Sequence, residues 1–120
     1  MSKVEQNLEL ASISYRGGNY DEAYSTYSLV IDEEFGNVKA WIGKGLSAGW
    51  LSRVDKPTLD ECTICLEKVS ELGIPNDENV FIASQIVEIS LNYVTQIHQD
   101  AARFLMEKEK KPWLPVNFTQ

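Results

Sequence analysis

Apolar side chains along the first half of the chain recur at three- and four-residue steps, the period of helices that bury one stripe. Val4, Leu8, Ala11 and Tyr15 mark one stripe, Leu10 and Ile13 lie on a neighbouring one, and Ser2 with Glu5 has the spacing of a capping box. Gly17-Gly18 stops this helix and permits the positive φ of a tight reversal, so the next helix folds back antiparallel. Asn19 caps that second helix, whose inner stripe is Ala23, Tyr27, Val30 and Ile31; Asp32-Glu33-Glu34 at its end opposes the macrodipole. Phe35-Gly36-Asn37 is the next turn, and a third helix runs from about Val38 to Ser52. Arg53 to Pro57 connects it to a fourth, which Thr58 and Glu61 open with a second capping-box spacing and Gly73-Ile74-Pro75-Asn76 closes.

The last third reads differently. From Asp77 to Lys111 there is neither Gly nor Pro. Val80, Ala83, Val87, Leu91, Val94, His98, Ala101 and Leu105 repeat at helical steps, with Phe81, Ile86, Ile89, Tyr93, Ile97 and Phe104 beside them. One unbroken helix here would be about 50 Å long, more than two hairpins can cover. Either it breaks near Thr95–Asp100, or it overhangs and packs against a second copy of the protein, a possible homodimer. The tail at 111–120 is extended by its prolines and carries Trp113, Leu114 and Phe118, either folded back over the last helix or docked on a partner. The pattern as a whole predicts an all-α fold of two antiparallel helix hairpins, a long C-terminal helix and a short extended tail. Residues 1–110 form one helical domain and 111–120 the tail.

Composition narrows the class. Apolar residues make up 43% and charged residues 24% of 120, an ordinary globular balance. A net charge of −7 opposes nucleic-acid binding, which needs clustered Lys and Arg. No apolar run reaches the roughly 20 residues of a membrane span, and MSKVEQNLEL lacks the charged and apolar regions of a signal peptide. A soluble cytoplasmic protein is expected.

The spacing in the first hairpin resembles the tetratricopeptide repeat. Leu10, Ala11, Gly18, Tyr20, Ala23, Tyr27 and Val30 fill the large and small positions of that family's 34-residue unit. A second unit opens with Trp41 and places Gly45 34 residues after Ala11. It departs in its longer, Pro57-containing turn and in Cys62, which stands where the family has Ala. The resemblance covers repeat 1 at about 4–37 and repeat 2 at about 38–75; the C-terminal helix at about 77–110 has no counterpart. It implies a concave groove on the first helix of each unit, lined here by Leu8, Ser12, Tyr15 and Arg16, then Lys39, Ile42, Leu46 and Trp50. Chaperone-binding members carry a Lys/Asn carboxylate clamp where this chain has Leu8 and Ser12, so the resemblance implies a groove for an apolar or amphipathic segment. The alternative occupant of that groove is the protein's own long helix or tail.

Candidate chemistry adds little. Cys62-Thr63-Ile64-Cys65 lies about a turn inside a helix with no strand before it, unlike a redox pair, and a zinc site lacks two further ligands. Gly43-Lys44-Gly45 lacks the Ser or Thr of a phosphate loop; glycines 45 and 49 read as close helix contacts or, flanked by Trp41 and Trp50, as a shallow aromatic depression. His98, within an apolar stripe, reads as a partly buried structural histidine. No catalytic residue, metal or cofactor is predicted. The expected function is non-enzymatic protein–protein interaction with a peptide or helix of a partner. The alternatives are a small acidic chaperone for a secreted or assembling client, or a homo-oligomer paired through the long helix.

Overall fold

A computed structural model describes residues 2–109 of the chain. Among these residues the turns and caps read from the sequence separate five α-helices: α1 (Lys3–Arg16), α2 (Tyr20–Glu33), α3 (Val38–Leu51), α4 (Leu59–Leu72) and α5 (Asn79–Glu109). A single 3₁₀ turn, Asn76–Glu78, leads into α5. No strand occurs among the described residues. The first four helices form two packed hairpins, and the long fifth helix follows them. The tail at 111–120 lies outside the described residues.

Local chemistry explains most boundaries. Ser2 Oγ accepts from Glu5 N at 3.1 Å while Glu5 accepts from Ser2 N at 2.9 Å, completing the capping box of α1. Gly18 takes φ +83° in the first turn and Gly73 takes φ +101° after α4, both left-handed positions that a side chain would strain. Asn19 and Asn37 accept from the backbone amides of Glu22 and Ala40 at the starts of α2 and α3. The second expected capping box does not form. Thr58 Oγ1 turns back to donate to Ala48 O at 2.7 Å, and Ser52 Oγ accepts from Thr58 N at 2.9 Å, so this side chain ties the connector to α3 instead of capping α4.

Packing centres on α3, which touches all four other helices. Its glycines form notches that receive the neighbours. A methyl group at Gly43 would lie 2.2 Å from the Tyr27 ring of α2, one at Gly45 would lie 2.8 Å from Cys65 Cβ of α4, and one at Gly49 would lie 3.0 Å from Ile89 of α5. Each notch costs helix propensity, about 1 kcal/mol per glycine, and in return lets bulky groups approach the α3 backbone. Around it Ala11, Ala23, Val30, Ala40, Leu46 and Val69 are buried.

The long helix is unbroken through Thr95–Asp100. Its 31 residues run for about 46 Å, and the described residues measure 70 × 24 × 20 Å. It meets the body through Ile82, Gln85, Ile89 and Gln96, a stripe half apolar and half amide. Of the two stripes read from the sequence, the one from Val80 through Leu105 faces outward, and His98 within it, expected to be partly buried, is exposed. The reason is chemical: the surface that α5 covers presents Tyr15 Oη, Trp50 Nε1 and Ser52 O, which need polar partners when dehydrated. Beyond Gln96 every residue through Glu107 is exposed.

Two stability predictions follow from the packing of α3. Gly43→Ala and Gly45→Ala each lower the stability measured by urea unfolding, by about 1–3 kcal/mol, because the clash with a ring or a Cβ exceeds the gain in helix propensity. Ser47 Oγ is buried without a hydrogen-bond partner, so Ser47→Ala raises stability by about 1 kcal/mol in the same assay.

Candidate functional site

Between α1 and α3, the first helices of the two hairpins, lies a cleft of about 500 Å³. Leu8, Ser12, Tyr15 and Arg16 come from α1, Lys39, Ile42 and Leu46 from α3, so seven of the eight groove residues expected from the sequence meet in one place. Tyr27 and Gly43 complete the floor, Glu9 lies on the rim, and Glu78 with Phe81 walls one end where α5 begins. The helix therefore closes an end of this cleft and leaves its length open.

Trp50 sits elsewhere. Its ring stacks on Tyr20 with centroids 5.2 Å apart and planes 4° from parallel. Its Nε1 donates to Tyr15 Oη at 2.9 Å, and Tyr15 Oη donates to Gln85 Oε1 of α5. Tyr15 also meets Tyr20 and Phe81 edge-on, at 5.3 and 6.4 Å. Trp50 thus holds the tyrosine that lines the cleft, and does not line it. Tyr15 is buried, and dehydration pushes its phenol well above the ordinary value.

The cleft has an apolar floor and charged rims. Leu8 is half-buried, while Ile42 and Leu46 are buried with only their cleft-facing surface in reach. Arg16, Lys39 and Glu9 are exposed and Glu78 is half-buried, and none of the four makes an ion pair among the described residues. Positive and negative groups thus border the same apolar trough. Glu9, Tyr27, Gly43, Glu78 and Phe81 were absent from the sequence-based set. Tyr27 and Gly43 were legible as neighbours in the repeat spacing, whereas Glu78 and Phe81 depend on where α5 docks, which no local pattern states.

Other candidate chemistry has structural surroundings. Gly43-Lys44-Gly45 lies inside α3, so its amides belong to the helix, and Lys44 Nζ rests over the rings of Tyr24 and Trp41 at 5.3 and 5.8 Å. Cys62 and Cys65 are buried free thiols on α4 against the notches at Gly49 and Gly45. Burial raises both thiols, Cys65 to about 11, which suppresses the nucleophilic thiolate. Among the described residues no group of three or more His, Cys, Asp or Glu is placed to hold a metal ion. No helix there is long and apolar enough to cross a membrane. Compared with known proteins, the chain matches no family model, no curated protein and no solved structure.

The raised groups fix the pH response. Burial lifts Cys65 to about 11 and Tyr27 to about 12, and burial together with the Glu61 hydrogen bond lifts Tyr24 to about 12. The folded state holds these protons more tightly than the unfolded chain, whose thiols and phenols titrate near about 8.5 and 10. Their contribution is therefore complete below about pH 8.5 and is lost as pH rises toward 11 and 12. Unfolding free energy measured across alkaline pH falls steadily from that point, and a disulfide reagent at pH 8 labels both cysteines at least about tenfold more slowly in the native protein than in denaturant.

Proposed function

We propose that this protein is a non-enzymatic interaction module that seats an apolar or amphipathic peptide or helix of a partner protein in the α1–α3 cleft. The observation that carries this reading is the cleft itself: two helix faces expected on sequence grounds to cooperate converge on one open apolar trough about 500 Å³ in size. Its proportions suit a few side chains of an incoming segment, with Leu8, Ile42, Leu46 and Phe81 offering apolar contact. Arg16 and Lys39 on one hand and Glu9 and Glu78 on the other give such a segment charged flanks to align against. An amphipathic helix with apolar residues three and four apart matches this combination best. Hairpin repeats of this kind commonly work as gripping surfaces, in keeping with the resemblance to tetratricopeptide repeats.

The test must fill the cleft without dismantling its floor. Tyr15 and Trp50 hold each other and α5, so removing them would loosen the fold. Ser12 is half-buried and lines the cleft from α1. Ser12→Trp fills the trough, and Arg16→Glu with Lys39→Glu reverses its basic rim. With the circular-dichroism melt unchanged, Ser12→Trp abolishes, and the charge reversal weakens about tenfold, the partner recovered by affinity capture and measured by calorimetry. Partner binding that survives Ser12→Trp at full strength would refute the assignment.

A further inference from the structure

We propose that the outward face of α5 is a self-association seam on which a second copy of this chain pairs antiparallel. This surface meets the cleft at Glu78 alone of the residues named for both. Val80, Val87 and Val94 recur at intervals of seven, and Leu91, His98 and Leu105 recur at the same interval, offset by steps of three and four. That is the heptad period by which one helix lies along another. The body-facing residues Ile82 and Ile89 occupy the opposite side of α5, so pairing along the seam leaves the packing on α3 untouched.

Area and charge both favour a second copy. The five large seam residues Val80, Val87, Leu91, Val94 and Leu105 stand between 58% and 80% exposed. At roughly 170–200 Å² for a side chain of this size they leave roughly 600 Å² in water, at the upper end of the largest patch on a typical monomer. Ala83, Ser84, His98 and Ala101 lie exposed among them and carry the seam toward the roughly 800 Å² that each partner gives a standard interface. In a chain of net charge −7, the only acid or base on the seam or its immediate flanks between Val80 and Leu105 is Glu88, so the middle of the seam meets its copy without facing acidic surfaces.

Orientation follows from residue size and from the ends of the helix. An antiparallel pair centred between Leu91 and Val94 sets Ser84 against Ala101 of the second copy and Val80 against its Leu105, small against small and large against large. It brings Lys108 of each copy to Asp77 and Glu78 of the other and opposes the two helix dipoles. A parallel pair would set Asp77 and Glu78 beside their own duplicates. The overhang beyond Gln96 then rests on the outer face of the second copy's docked segment.

Sedimentation equilibrium of the full chain across the micromolar range tests the proposal. A dimer is expected, and Leu91→Glu with Val94→Glu raises its dissociation constant about 100-fold or more by burying four carboxylates, with helicity unchanged. His98→Leu tightens it, since a polar residue on the seam costs stability. Orientation is read by oxidising variants in which Cys62 and Cys65 are replaced by Ala and one seam cysteine is added: a mixture of Val80→Cys and Leu105→Cys proteins gives the mixed disulfide dimer, while neither protein alone does. This readout holds even where the glutamate variant misfolds. A monomer throughout the range, a dimer indifferent to the glutamates, or cross-linking of Val80→Cys with itself would each overturn the proposal. So would a monomeric full chain whose truncation after Glu109 dimerises, because the chain's own last residues would then cover the seam.

Discussion

The structure depends on how closely its neighbours approach the backbone of α3. A helix carrying Gly43, Gly45 and Gly49 is intrinsically poor, and it persists because the aromatic ring of Tyr27, the thiol-bearing stretch of α4 and Ile89 of α5 each fill one notch. Gly43 opens toward α2, while Gly45 and Gly49, one turn apart on another face, receive α4 and α5, so one helix fixes the placement of three others. The hairpins acquire their mutual angle from these contacts, and the cleft between α1 and α3 is the space left on the side where α3 carries Lys39, Ile42 and Leu46 instead.

A second layer of order is polar. Trp50, Tyr15 and Gln85 form a chain of hydrogen bonds from α3 through α1 to α5, with Tyr20 stacked against the indole. Such a network is directional where apolar packing is not, and it fixes the register at which α5 crosses the body. Gln96, bonded to Ser52 O at 3.4 Å, repeats the device at the C-terminal end of α3. Phe81 reaches the cleft because Gln85, one turn further on, is held in this way.

Much of this was legible in the sequence. The four short helices and their turns follow from Gly17-Gly18, Asn19, Asn37 and Gly73, whereas the pairing of the α1 and α3 faces was implied only by the resemblance to tetratricopeptide repeats. The docking of α5 was not. Two apolar stripes were legible along it, yet the surface it covers takes amides at Gln85 and Gln96 and aliphatic groups at Ile82 and Ile89, a face that coincides with neither. Local periodicity ranks faces by hydrophobicity; it holds no record of which distant groups need hydrogen bonds. Thr58 shows the same limit on a smaller scale, since its hydroxyl finds Ala48 O, ten residues away, ahead of its own helix.

The length of α5 has a consequence for motion. Residues 82–96 share their fate with the core, because opening them breaks the Ile89 notch and the amide bonds of Gln85 and Gln96. Residues 97–107 are exposed and draw on helix propensity and on local pairs such as Arg103 with Asp100. One continuous helix therefore spans two regimes of local unfolding, tighter near the body and looser toward Glu107. Whatever settles on that end slows its hydrogen exchange first, long before any change is felt in the core.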